Sequence, residues 1–169
     1  PDTGTWTSKA IKEARKFGEV NVAFAGSDCN YDHCPSNEEL SLTDGAAYLH
    51  YCSNNTIYGT RYATPPSTTA PLVCDTSSEM FARPWPFADH AMVYAGAQKN
   101  LGPSGVALVI IRRDFMESAG RETIDMLDYR KHAKAGSRLN TPPVFGVYAM
   151  NLVMAWIEEQ GGLPAMADH

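Results

Sequence analysis

Apolar positions recur along this chain in two rhythms, one of helices and one of short strands, separated by long polar stretches. Near the start, Ala10, Ile11, Ala14 and Phe17 fall at helical spacing. The spacing predicts a helix over residues 8–17, with Thr5 or Thr7 as its N-cap and Gly18 as its stop. A strand is expected at Val20 to Ala25. Residues 26–45, rich in Ser, Asn, Asp and Pro, read as a long excursion with one short helical turn near Asn37 to Leu40. Two strand-like stretches follow, residues 46–52 and 56–62, on either side of the polar turn Ser53-Asn54-Asn55. Leu72 to Cys74 and Met92 to Tyr94 are further strands, and Pro84 and Pro86 keep any helix between them short.

Val106 to Ile111 is an unbroken apolar, β-branched run, the pattern of a strand covered on both faces. Only about ten residues separate it from the strand before, too few for a helical crossover, so this pair is expected to run antiparallel within a mainly parallel sheet. Asp114 with Glu117 resembles a capping box opening a short helix, and residues 122–133 form another. Thr141-Pro142-Pro143 introduces the longest helix. Val144, Val147, Tyr148, Leu152, Met154, Ala155 and Ile157 give it a broad apolar surface, and Gly161-Gly162 ends it.

Composition removes several function classes. The 169 residues, 44% hydrophobic and 20% charged, suit one globular domain with a sizeable core. Fourteen basic and nineteen acidic residues give a net charge of -5, and the basic ones are scattered, so a nucleic-acid surface has no support. No apolar run reaches the roughly 18 residues of a membrane span and no secretory signal opens the chain, which together read as cytosolic. Of the four cysteines, Cys52 and Cys74 lie in strand-like runs and are expected to be buried thiols. The cluster Asp28-Cys29-Asn30-Tyr31-Asp32-His33-Cys34 lacks a second Cys/His pair at zinc spacing, so it is read as a polar surface loop and no metal is expected.

Two residues at strand ends carry the candidate chemistry. Lys99 follows the apolar run ending at Tyr94 and precedes the turn Gly102-Pro103-Ser104-Gly105. Small residues around it suggest a desolvated amine able to trap a carbonyl, as in a Schiff base with pyridoxal phosphate. Asp75 ends the run Leu72-Val73-Cys74. A carboxylate there suits the ring nitrogen of that cofactor, because a protonated ring drains electrons from the substrate α-carbon.

The motifs Thr3-Gly4-Thr5-Trp6, Lys9-Ala10-Ile11-Lys12-Glu13-Ala14, Tyr51-Cys52-Ser53-Asn54-Asn55-Thr56-Ile57, Cys74-Asp75-Thr76-Ser77-Ser78, Ala95-Gly96-Ala97-Gln98-Lys99-Asn100, Asn140-Thr141-Pro142-Pro143 and Trp156 to Leu163 occur in one order. Over nearly its whole length the chain resembles the phosphoserine aminotransferase family, within the fold-type I pyridoxal phosphate enzymes. The resemblance implies an α/β fold in three layers, αβα, with a mainly parallel sheet carrying one antiparallel strand. It implies transamination between L-glutamate and 3-phosphohydroxypyruvate, giving 2-oxoglutarate and O-phospho-L-serine for serine biosynthesis.

The same resemblance assigns roles by position. Lys99 would bind the cofactor aldehyde and shuttle the substrate proton. Asp75 would pair with the ring nitrogen, Trp6 lie against the ring face, Thr56 bond near the ring hydroxyl and Gln98 contact the phosphate. Asn140 and Thr141 resemble a pair that reaches the phosphate from a neighbouring subunit, which implies a homodimer with a shared site. Family members are longer on both sides, so residues 1–169 are expected to be the central part of the large domain, with an N-terminal segment and a C-terminal small domain lying outside it. A different fold-type I enzyme such as a cysteine desulfurase, or a cofactor-free fragment, are the competing readings.

Overall fold

The structure is a computed structural model that describes residues 1–120 and 122–169. The chain forms two compact units, Pro1–Glu79 and Met80–His169.

The first unit opens on helix α1, Thr5–Ala14. Neither proposed threonine is its N-cap; Gly4 takes that place, with φ 155° and ψ −170°. A side chain there would also press on the Tyr58 ring, 3.0 Å from the Cβ position, so glycine is required twice over. Thr7 acts instead from inside the first turn, where its Oγ1 accepts from the amides of Thr3 at 2.8 Å and Gly4 at 3.0 Å. Those are donors a helix start leaves orphaned.

Strands β1, Leu49–Cys52, and β4, Leu72–Asp75, pair in parallel from Leu49↔Leu72 to Cys52↔Asp75. Between them β2, Asn54–Asn55, and β3, Thr60–Arg61, make a small antiparallel hairpin. The turn therefore lies at residues 56–59 and not at 53–55 as the polar residues suggested. Gly59, with φ 73°, makes the reversal at low cost, whereas Asn54 and Asn55 spend their side chains on cross-links. Val20 to Ala25 is not a strand: it contributes a single bridge, Asp2↔Ala25, and on its other side the Ala23 carbonyl accepts from the Ser41 amide at 2.8 Å without a ladder forming. The excursion after it holds the expected short turn, a 3-10 helix at Asn37–Glu39, and a second 3-10 turn at Gly26–Cys29 that the composition did not suggest. The core gathers on Tyr51, Cys52, Tyr62, Val73 and Cys74, with Tyr51 meeting Tyr62 edge to face at 5.1 Å.

In the second unit β5, Met92–Gly96, and β6, Ala107–Ile111, run antiparallel from Met92↔Ile111 to Gly96↔Ala107, as the short connection required. Ala91, Val93, Ala95, Ala97 and Leu101 are all but fully buried. β6 is not covered on both faces: Ala107 and Ile110, which point to opposite faces of the strand, both stay exposed, so within this unit neither face is fully packed. α2, Arg113–Ser118, forms where expected, but Asp114 sits inside it, accepting from the Phe115 amide, and is no N-cap. The helix expected over residues 122–133 is shortened to α3, Tyr129–Lys134, after a 3-10 turn at Asp125–Leu127; Asp128 caps it by accepting from the Arg130 amide at 2.9 Å.

The longest helix, α4, Val144–Glu159, starts after Pro143, two residues beyond Thr141, and is followed by Gly161 in the left-handed region and by α5, Gly162–Ala167. Of its residues only Gly146 and Ile157 are buried, while Val144, Phe145, Tyr148, Leu152 and Trp156 are exposed. Gly146 allows the close approach: a Cβ there would stand 2.8 Å from Val106 Cγ2.

Candidate active site

Within the first unit, three of the sequence-derived site residues lie on segments tied together by one backbone and two side-chain hydrogen bonds. Asp75 is the last residue of β4, and its carbonyl accepts from the Ser53 amide at 3.0 Å just past the end of β1. Asn54 Nδ2 donates to Ser78 Oγ at 2.8 Å, which fastens the hairpin carrying Thr56 to the segment after Asp75. Thr3 Oγ1 donates to Asn55 Oδ1 at 3.2 Å, and the Tyr58 ring lies against Gly4, so the first turn of α1 with Trp6 joins the same end.

The Asp75 carboxylate is held by one oxygen. Oδ1 accepts from the Ser77 amide at 2.9 Å and from Ser77 Oγ at 2.6 Å, an Asx turn that leaves Oδ2 available to a further donor. Its side chain is half-buried, a position in which a charge-assisted bond to a ring N–H is stronger than in water. Ser77 was not singled out by the sequence reading as a site residue. The spacing Asp-x-Ser after a strand is the signal that marks it.

Trp6 is 39% exposed, and Lys9 Nζ stands 4.8 Å from its ring centroid. Thr56 is exposed in the turn at residues 56–59.

His50, in β1, is a second group the sequence reading passed over. Burial lowers it to about 4, although the Asp75 charge acts to raise it. A histidine kept neutral in the fold resists a proton that the unfolded chain accepts below its ordinary value of 6.5. Stability is therefore lost as pH falls from 6.5 towards 4, by on the order of 2–3 kcal/mol from this group. His50→Gln should flatten that part of the profile. Urea midpoints at pH 7 and pH 5 check it: equal losses in the variant and the parent would remove His50 from the account.

In the second unit, β5 delivers Gln98 and Lys99 into a helical turn closed by Leu101 N→Ala97 O at 3.1 Å and Gly102 N→Ala97 O at 2.9 Å. The expected desolvation of Lys99 is not met. Ala97 and Leu101 take the inward positions, both at 0% exposure, and residues 98–100 between them project outward. Gly96 leaves room for the Gln98 amide, whose Oε1 lies 2.7 Å from where a Cβ would be. Asn100 anchors the turn by donating to the Met80 carbonyl. Gly102 lets this turn approach Met150 of α4: a Cβ there would stand 3.3 Å from Met150 Cγ. Asn140 and Thr141 lie ahead of α4 and are exposed, with Asn140 Nδ2 donating to the Thr141 carbonyl at 3.2 Å.

Asp75 ends β4 in the first unit, and in the second unit Lys99 follows the carboxyl end of β5. The family profile described as aminotransferase class-V matches residues 2–169. The chain belongs to the class-V aminotransferases. Among curated members, phosphoserine aminotransferase of Herpetosiphon aurantiacus is 49% identical over 99% of this chain and 47% of its own length. That of Geobacillus kaustophilus is 46% identical over 98% of the chain and 46% of its own length. The chain thus spans about half the length of the curated relatives it matches.

Solved structures agree. Phosphoserine aminotransferase from Bacillus circulans subsp. alkalophilus superposes with a TM-score of 0.93 at 45% identity, covering 98% of this chain and 46% of that one. The pyridoxal phosphate-bound enzyme from Trichomonas vaginalis gives 0.91 at 36% identity, covering 98% and 50%. This class-V aminotransferase therefore has the expected α/β architecture, a mainly parallel sheet with one antiparallel pair. Among its described residues no helix is long and apolar enough to cross a membrane.

Proposed function

We propose that this chain is the central part of the large domain of a cytoplasmic pyridoxal phosphate-dependent phosphoserine aminotransferase. It would exchange an amino group between L-glutamate and 3-phosphohydroxypyruvate and supply O-phospho-L-serine for serine biosynthesis. The observation that carries this reading is identity of 46–49% to proteins of that name over nearly the whole chain. The donor set fits the cofactor. A half-buried carboxylate with one oxygen committed to Ser77 and the other available suits a ring N–H, and neutral amide and hydroxyl donors at Gln98 and Thr56 suit a phosphate and a phenolic oxygen.

When bound, pyridoxal phosphate supplies an aldehyde for amines and an electron sink for the carbanion at the substrate α-carbon. Lys99 Nζ would hold the cofactor at its aldehyde carbon, and the same amine would accept the substrate α-proton and give it back. Asp75 Oδ2 would accept from the protonated ring nitrogen, Trp6 would lie against one face of the ring, Thr56 would bond near the ring hydroxyl and Gln98 would contact the phosphate. The exposed Asn140 and Thr141 serve a second subunit's phosphate site, so the active form is a homodimer.

The test is the choice of amino acceptor. The protein is supplied with pyridoxal phosphate and glutamate, and phosphohydroxypyruvate is compared with pyruvate. A site built for a phosphate should prefer the phosphorylated acid in kcat/KM by roughly a hundredfold or more. Equal use of pyruvate would move the protein to another aminotransferase activity.

A further inference from the structure

We propose that Cys29, Asp32 and His33 form a binding site for a zinc-class divalent cation. The cysteine sulfur, a carboxylate oxygen of Asp32 and a ring nitrogen of His33 all lie within 4.8 Å of one another. None of the three has a part in the proposed cofactor chemistry. Their convergence is made by the backbone. A 3-10 turn, Gly26–Cys29, is followed by Asn30 and Tyr31, both in the left-handed region at φ 55° and 57°. Two successive non-glycine residues in that region cost on the order of 1 kcal/mol or more each. They reverse the chain so that residue 29 faces residues 32 and 33.

The reversal is tied down. Tyr31 N donates to the Gly26 carbonyl at 2.8 Å, and Gly26 N donates to the Asp2 carbonyl at 2.9 Å. The Tyr31 ring lies against Tyr58 with centroids 4.5 Å apart. Gly26 admits no side chain, because a Cβ would sit 2.4 Å from the Asp2 carbonyl oxygen. The loop is an anchored scaffold for its three donors.

His33 has the supporting partner that metal-binding imidazoles have. Its Nε2 pairs with Glu39 Oε1 at 3.1 Å, while Glu39 Oε2 accepts from the Ser36 amide at 2.8 Å. Phe24 sets the ring plane by an edge contact at 5.4 Å. A carboxylate on one imidazole nitrogen fixes the ring and makes the other nitrogen the better ligand. That nitrogen, Nδ1, points at Asp32 Oδ1, 2.6 Å away. In the metal-free protein a hydrogen bond joins the two groups. A cation takes that place, and the protons of Nδ1 and of the Cys29 thiol pass to solvent.

The donor set chooses the ion. Thiolate, imidazole and carboxylate together favour zinc or cobalt over magnesium or calcium, which prefer oxygen alone. A tetrahedral zinc at about 2.0–2.3 Å from each donor sets the donors roughly 3.3–3.8 Å apart. The Asp32 side chain is 68% exposed and that of His33 43%, which leaves both room to rotate towards that spacing. Three protein ligands leave the fourth position open to water, as the exposure of Asp32 requires.

Cobalt(II) titrated into the full chain should give the visible ligand-field bands of a tetrahedral thiolate site, and equimolar zinc should bleach them. Cys29→Ser should abolish the bands. His33→Gln and Glu39→Gln should each weaken binding by about tenfold or more, while Cys34→Ser leaves it unchanged. Circular dichroism checks that each variant is folded. Absence of tetrahedral bands in the parent, their persistence in Cys29→Ser, or displacement of cobalt by magnesium as readily as by zinc would each overturn the site.

Discussion

Lys99→Ala should lose transamination by about a hundredfold to ten-thousandfold or more, while the fold is kept. The two outcomes separate because Lys99 is exposed in a turn whose buried supports are Ala97 and Leu101. An exposed substitution of this kind shifts stability by only about 0.5 kcal/mol. Lys99→Arg should fail as badly, since a guanidinium keeps its charge and cannot accept the substrate proton. Borohydride treatment of the parent with pyridoxal phosphate should leave one cofactor mass on the peptide containing Lys99 and none on that peptide in either variant. An external primary amine should restore part of the activity to the alanine variant and none to the arginine variant, where the side chain fills the space. Turnover by Lys99→Ala without added amine would end the assignment.

Asp75→Asn should cost a comparable factor by a different route. The asparagine carbonyl can still accept from Ser77 N and Ser77 Oγ, so the Asx turn that holds residue 75 survives and stability changes by about 1 kcal/mol at most. What disappears is the negative charge that keeps the ring nitrogen protonated, and with it the electron sink. A cofactor analogue methylated on that nitrogen carries a permanent positive charge. With it, the parent and Asp75→Asn should differ by less than about tenfold. If Asp75→Asn works normally with pyridoxal phosphate, or stays as deficient as before with the methylated analogue, the carboxylate has another role.

These two results would also separate chemistry from architecture. Both residues are placed by strands whose register the packing enforces. Asp75 lies opposite Cys52 in the parallel pair, with Tyr51 and Cys74 fully buried beside them. A one-residue slip would turn the carboxylate into the core and Cys74 outward.

The residue pattern was a good guide where local chemistry settles the backbone. Apolar, β-branched runs made β4, β5 and β6 legible, and a connection of about ten residues was too short for anything but an antiparallel return. Proline and glycine bracketed α4 to within three residues. The pattern misled where polar residues are ambiguous. Ser53-Asn54-Asn55 has turn composition, yet Asn54 and Asn55 stand in a hairpin because their amides find Ser78 and Thr60. Val20 to Ala25 has strand composition, yet makes only an isolated bridge to Asp2 and single bonds to Ser41.

What the order of residues offered by itself is a set of candidate side chains, because a carboxylate or an amine at the end of an apolar strand keeps its address through any small error in the fold. What only the folded chain decided is how those groups are supported and exposed. Ser77 committing one oxygen of Asp75, Lys99 turned outward between two buried neighbours, and Cys29 brought against Asp32 and His33 all depend on dihedral angles and long-range contacts. Such angles and contacts come from the competition of distant segments for the same core, which no local pattern records.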